Sequence, residues 1–338
     1  MNLGYVKYAR VGLSYLLKST ELPAGRTLGI TVEPTNICNL RCIYCPQSDE
    51  KNHFINGRGF MKYETYKVIL DNILSDFTPR FVSLHRDGEP LLNKELDKFI
   101  EYTVLRGIHT GVSSNCTMLD PERARRLLDA GLGFIKTDFC ADEYLFEKLR
   151  VGGNWKATYE GMTTILEEAK ESDIRFQMNI TDLSTHEVAD ETARTNMEKL
   201  RELFSKFEKS VSISKVHFHN ALDESIEIMT KDDYKKNHRT YTLCHHPWVH
   251  IVVDFRGNVV PCCRDLRSEY ICGNLLKTTM KEIWNNDRFI RLRRALAERK
   301  PEEINICAKC DLPYRGSYSG KNAVSKISNI LFSRTWKR

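Results

Sequence analysis

Through the middle of the chain, short runs rich in β-branched and aromatic residues alternate with longer stretches whose apolar positions recur every three or four residues. The strand-like runs are 28–33 (LGITVE), 81–85 (FVSLH), 109–114 (HTGVSS), 134–139 (FIKTDF), 174–180 (IRFQMNI) and 212–218 (SISKVHF). Helical patterns lie between them near 62–75, 93–106, 121–130, 142–149 with 156–171, and 187–208, with Pro121 placed to open one after Asp120. Strands that alternate with helices predict a parallel sheet wound by crossover helices, an α/β fold. No Pro/Gly/Ser linker interrupts 27–222, so this stretch reads as one domain.

The flanks have a different character. Residues 1–26 read as an amphipathic helix ending in the break "LPAG". Residues 223–243 are charged and read as a connector, cysteines return at Cys244 to open a small domain over 244–314, and 315–338 form a basic tail. Beyond Asp311 stand Arg315, Lys321, Lys326, Arg334, Lys337 and Arg338 with no acidic side chain. A solvated tail is the simple reading, and its apolar residues at helical spacing leave peripheral contact with an anionic membrane surface open.

Composition narrows the class. With 338 residues, 41% hydrophobic and 28% charged, the chain can bury a sizeable core and reads as an ordinary globular protein of about two domains. The stretch "VGLSYLL" is too short for a secretory core, and no window reaches the roughly 18 apolar residues of a membrane span. A net charge of +6 is modest and no aromatic-basic module is evident, so no nucleic-acid partner is expected. Eleven cysteines in clustered groups, without an export signal, predict a reducing, cytoplasmic setting rather than a disulfide scaffold.

The clustering carries the chemistry. Cys38-x3-Cys42-x2-Cys45 lies in "EPTNICNLRCIYCPQ", just after the first strand-like run. Three thiolates on one short loop can hold three irons of a 4Fe-4S cubane and leave the fourth iron open to an outside ligand. Structural zinc, the rival, calls for four ligands, commonly as C-x2-C pairs, which this triplet does not supply.

Cys38, Cys42 and Cys45, with Tyr44 before the last, resemble the signature of the radical S-adenosylmethionine (SAM) enzymes. The resemblance implies that the amino and carboxylate groups of SAM chelate the open iron, that an electron splits the C–S bond, and that a 5′-deoxyadenosyl radical takes hydrogen from substrate. It also implies that the six strand-helix units form a partial (βα)6 barrel, with reactive groups at its C-terminal mouth. In "HRDGEPLL", Gly88-Glu89-Pro90 matches the family's GGEP-type motif except that Asp87 replaces the first glycine, and this stretch would hold the SAM ammonium. "SSNCT" offers Ser113 and Asn115 to the ribose or methionyl group. "KTDFCADEYLFEKLRVGGNW" resembles a further family pattern with Cys140 in a glycine position. Asp138 and Arg150 are its candidate SAM contacts, the arginine as carboxylate partner, although a structural cap explains Asp138 as well. Tyr44 and Ile180 are candidates for the adenine, with Asn179 beside Ile180; cluster shielding and core packing are their simpler roles.

The C-terminal part gives Cys244-x12-Gly257-x4-Cys262 and Cys307-x2-Cys310, with a hairpin signal at Arg256-Gly257-Asn258 and a helix including "TMKEIWNNDRF" between them. This order resembles the SPASM/twitch auxiliary domain of radical SAM enzymes. The resemblance implies one auxiliary 4Fe-4S cluster held by Cys244, Cys262, Cys307 and Cys310, with Cys263 as a substitute ligand. A four-cysteine zinc site remains the alternative.

Cys116, Cys140, Cys263 and Cys272 are left over. A free thiol near the barrel mouth would donate hydrogen in an epimerisation, while a buried cysteine is ordinarily a small hydrophobe. Asp87, Asp254 and His85 are candidate bases, and Arg86, Lys136 and Arg264 candidate phosphate contacts. The leading expectation is dehydrogenation, with epimerisation close behind, of a small polar substrate such as a sugar, cyclitol or nucleotide-linked compound, with a reductant such as flavodoxin or ferredoxin. The alternatives are a ribosomal-peptide maturase, and a non-catalytic iron-sulfur or zinc protein.

Overall fold

A computed structural model describes residues 13–49, 54–185, 190–215, 241, 243–308, 310 and 312–314. The chain divides into two compact units, one made of Thr31–Lys67 and Phe81–Phe218, the other of Met1–Ile30, Val68–Arg80 and His219–Arg338. The units interleave along the chain: Val68–Arg80, inside the stretch that reads as one domain, is counted with the C-terminal part. The predicted connector 223–243 and tail 315–338 lie almost entirely outside the described residues, as does most of the N-terminal helix.

The strands β1 (Arg26–Val32), β2 (Thr78–Leu84), β3 (His109–Ser113), β4 (Phe134–Phe139), β5 (Gln177–Asp182) and β6 (Val211–Lys215) follow one another in spatial order, so the topology is that of consecutive strand-helix units and the sheet does not close. From β2 to β6 every neighbouring pair is parallel, with registers such as Gly111↔Phe134 and Asp138↔Thr181. Val112, Ile135, Phe139, Met178 and Ile180 have no exposed surface, as strands covered by crossover helices require.

The helices are α1 (Tyr63–Asp76), α2 (Leu96–Val104), α3 (Pro121–Asp129), α4 (Glu143–Leu149), α5 (Trp155–Glu171) and α6 (Asp190–Leu203). Their starts are written in capping chemistry: Asp120, Asp142 and Asn154 each accept a hydrogen bond from the backbone N–H three residues on. Several boundaries differ from the sequence reading by a few residues, and two of the differences have a visible cause. The fifth strand opens at Gln177 rather than 174, because the segment before it closes α5: Ile174 N–H bonds back to Ala169 O and Asp173 takes φ +53°. The last helix stops at Leu203 and a 3-10 turn over Ser205–Phe207 follows, with Phe204 and Phe207 both buried.

The other unit contains β7 (His250–Val253), β8 (Asn258–Val260) and β9 (Gly273–Asn274) as an antiparallel set, followed by α8 (Met280–Trp284) and α9 (Asp287–Ala297), after the single turn α7 (His246–Val249). Gly257 takes φ +84° at the β7–β8 turn, where glycine carries no side-chain penalty. Asn72 explains why Val68–Arg80 belongs here: its amide donates to Leu275 O and Thr278 O, both at 2.9 Å, and accepts from Met280 N at 2.9 Å. Arg293, wholly buried, donates to Pro247 O, Thr20 O and Trp284 O and fastens the N-terminal segment to α9. Among the described residues, no helix is long and apolar enough to cross a membrane.

Candidate active site and auxiliary cysteine site

The loop after β1 carries Cys38, Cys42 and Cys45 and is fastened on several sides. Arg41 N–H bonds to Val151 O and Ile43 N–H to Leu149 O, at 2.8 and 3.0 Å, so the middle of the loop runs strand-like beside the end of α4. The Asn36 amide bridges Gly57 and Gly59, and Gln47 reaches back to Asn36 O. Cys45 N–H bonds to Cys42 O, and Pro46 starts a 3-10 turn that directs the chain away. Burial pushes the Cys38 thiol up to about 11 and Cys45 higher still, and each is raised further by its companion thiols. A bound cation inverts this balance and takes the thiolates as ligands.

Glu89 is the hub beside the loop. Its carboxylate, 2% exposed, accepts from Leu91 N and Ser114 Oγ through Oε1, and from Asn115 N through Oε2, all within 3.0 Å. Burial outweighs these bonds and holds its pKa above the ordinary carboxylate value. The resemblance implies that this stretch holds the SAM ammonium; in the structure the Glu89 carboxylate also joins the end of β2 to the end of β3. Gly88 has no room for a side chain, since a Cβ would lie 2.5 Å from both Ile37 O and Thr35 O. Pro90 then opens a 3-10 turn. Asn115 donates to Asn39 Oδ1 at 2.8 Å, with its amide 4.0 Å from Cys38 Sγ, so the end of β3 touches the cysteine loop directly.

Arg150 is almost fully buried and donates to Asp138 O. Burial opposes its charge, but Tyr44, Cys42 and Asp138 around it hold it protonated. Its buried Nε has no hydrogen-bond partner, an unspent donor beside the cysteine loop. The Tyr44 hydroxyl is buried near the same arginine, and burial raises its pKa. Asp87 lies close enough to Cys45 to raise its pKa. Ser113 sits at the end of β3 in register with Lys136, and Ile180 is fully buried in β5 with Asn179 bonded to Ser212.

Three of the four leftover cysteines are closed in, and Cys263 is half-buried. Cys116 has no exposed surface, takes φ +60°, and lies with its thiol 3.8 Å from Ser114 O. A left-handed backbone is one that glycine adopts freely and a cysteine adopts at a cost. Cys140, equally buried, donates to Asp142 O at 3.4 Å, and Cys272, in the other unit, donates to Tyr270 O at 3.8 Å. Burial pushes all three thiols up to about 12.

Three further candidates are already engaged. Arg86 makes a buried ion pair with Glu33 (Nε–Oε1 2.9 Å, Nη2–Oε2 3.3 Å), which ties the ends of β1 and β2 together. Asp254 accepts from Arg256 N, Asn258 N, Asn258 Nδ2 and Ser268 Oγ and organises the hairpin turn. His85 bonds to Ser83, and burial lowers its pKa to about 4. The sequence reading missed Asp182, a fully buried carboxylate at the end of β5 whose Oδ1 accepts from Ser184 and whose charge is felt by Cys140. Its position at a strand end was the available signal.

In the other unit, Cys244, Cys262, Cys307 and Cys310 line one cavity, walled by Pro247, Pro261, Leu292, Leu296, Ile306 and Leu312 with Arg264 and Asp265. Cys263 is not in that lining, although its charge is felt by Cys262 and Cys244. Four thiols from three separate segments around an apolar hollow suit a fully ligated iron-sulfur cluster. Three thiols beside an unspent buried guanidinium and a glycine floor that admits no Cβ suit a cluster that also receives a ligand carrying a carboxylate.

Comparison with known proteins finds a family match over each of the two regions. The family described as "Radical SAM superfamily" matches residues 32–193, and SPASM, described as "Iron-sulfur cluster-binding domain", matches 244–311. The S-adenosyl-L-methionine-dependent 2-deoxy-scyllo-inosamine dehydrogenase of Niallia circulans is 25% identical over 286 residues, 83% of this chain and 92% of that protein. Among solved structures, BtrN in complex with AdoMet and 2-DOIA superposes with a TM-score of 0.52 at 21% identity over 86% of this chain and 94% of that one. Native anSMEcpe with bound AdoMet and the Cp18Cys peptide gives 0.58 at 14% identity over 92% and 97%.

Proposed function

Because this chain is a radical SAM enzyme with a C-terminal SPASM iron-sulfur domain, we propose that it oxidises a secondary alcohol of a small polar substrate, of the cyclitol or aminocyclitol class, to the carbonyl. When bound, the SAM-binding 4Fe-4S cluster and SAM would supply a 5′-deoxyadenosyl radical able to take the carbinol hydrogen, and the auxiliary cluster would supply an acceptor for the one electron that leaves with the hydroxyl proton.

The chain's own residues divide the work. Cys38, Cys42 and Cys45 are the proposed ligands of the first cluster, and Cys244, Cys262, Cys307 and Cys310 those of the second. Arg150, with its free Nε, takes the SAM carboxylate. Gly88 and Pro90 shape the floor under the amino group, and Glu89 holds that floor to Ser114 and Asn115. Tyr44, Ser113, Asp138 and Ile180 complete the SAM surroundings, and Asp87 is the base that takes the hydroxyl proton. An acidic flavodoxin or ferredoxin in a reducing cytoplasm would supply the first electron.

The observation that carries oxidation over epimerisation is the closure of the thiols. Epimerisation needs an S–H that faces the substrate radical, yet Cys116 and Cys140 expose no surface and direct their hydrogens at backbone carbonyls. The dehydrogenase relative, similar along most of the chain, supports the substrate class. Reaction in D2O with SAM, dithionite and a panel of aminocyclitols tests the reading. One carbonyl product per 5′-deoxyadenosine is expected; a carbonyl-free product carrying solvent deuterium would establish epimerisation instead.

A further inference from the structure

We propose that Arg264 sets the electron affinity of the auxiliary cluster by donating an N–H hydrogen bond to the Cys310 sulfur. The inference rests on the ligand set proposed above. Arg264 Nη1 stands 3.4 Å from Cys310 Sγ, within hydrogen-bond reach for sulfur, and the side chain lines the same cavity as the four thiols. Its charge also reaches Cys244, where it favours the thiolate. Only 9% of the residue is exposed, and most of the remaining wall is proline, leucine and isoleucine, so solvent screens the interaction weakly.

The sign follows from charge. A cubane with four thiolates is anionic in both oxidation states and gains a further negative charge when it accepts an electron. A cationic donor on a ligand sulfur therefore stabilises the reduced form more than the oxidised one, and raises the reduction potential. Arginine suits the task because it stays charged and holds its N–H groups in a rigid fork, whereas a lysine keeps the charge but not the fixed direction. For an oxidation that ends with an electron passed to this cluster, the effect of Arg264 is to make that last step more favourable.

The test uses the full chain with Cys38, Cys42 and Cys45 replaced by alanine, so that the auxiliary cluster is the iron centre observed. EPR-monitored titration with dithionite and mediators then compares Arg264, Arg264→Lys and Arg264→Met. Arg264→Met is expected to shift the one-electron equilibrium about tenfold toward the oxidised cluster, a midpoint about 59 mV lower, with Arg264→Lys between the two. A midpoint unchanged within about twofold in Arg264→Met, with four irons retained, overturns the proposal. Should Arg264→Met lose its iron, the same comparison is made with Arg264→Lys alone, where no shift overturns it. Loss of iron in both would make Arg264 part of building the site rather than of tuning it, and would also overturn it. Absence of a cluster in the parent with Arg264 intact would instead refute the ligand assignment.

Discussion

The two cysteine sites solve opposite problems. In the N-terminal site, three thiols sit on one loop among polar partners: Glu89, Asn115, Asn39 and a buried arginine with a donor to spare. In the C-terminal site, four thiols come from three segments into a hollow walled by proline, leucine and isoleucine. A centre that must receive and release a polar cosubstrate needs hydrogen-bonding groups poised beside its vacant corner. A centre that only passes electrons is better served by full ligation and a dry wall.

The sharpest way to break this contrast is Gly88→Ala. Its Cβ would press on Ile37 O and Thr35 O, moving the loop that carries the three thiols. SAM cleavage should fall on the order of 100-fold, read as 5′-deoxyadenosine, while the auxiliary EPR signal stays. Loss of both clusters together would show that the sites are not separable. Cys310→Ala addresses the opposite site: carbonyl product should drop to about a tenth or less while 5′-deoxyadenosine continues to form, because radical generation needs only the first cluster.

Smaller effects test the scaffold. Arg86→Met leaves the Glu33 carboxylate buried without its guanidinium and should cost about 3–5 kcal/mol in denaturant unfolding. A further Glu33→Leu should recover much of that loss; if it does not, the pair is acting through something other than its charge. Asp120→Ala removes the cap on Arg123 N–H at the start of α3 and should cost about 1 kcal/mol, with iron content and SAM cleavage unchanged.

Much of the scaffold was legible because it is local. Strands and helices were written in periodicity, and one helix start in Asp120 and Pro121, since a cap and its target lie within one turn. The cysteine spacings were legible for the same reason. What the sequence hid was pairing at a distance. Glu89 is legible as part of a GEP motif, while its protein partners Ser114 and Asn115 arrive from the next strand. Arg86 reads as a free cation, but Glu33 lies on the previous strand's end. Asp254 reads as a candidate base until Asn258 and Ser268 are seen to occupy its oxygens. Asn72 gives no hint of why Val68–Arg80 packs with residues some 200 positions away, at separations of 203 to 208.

The clasp between Arg41 and Val151 and between Ile43 and Leu149 bears on how the loop tolerates change. These anchors are main-chain bonds, made by residues that alternate with the cysteines. Replacing Cys38, Cys42 or Cys45 therefore removes a sulfur and leaves the fastening of the loop in place.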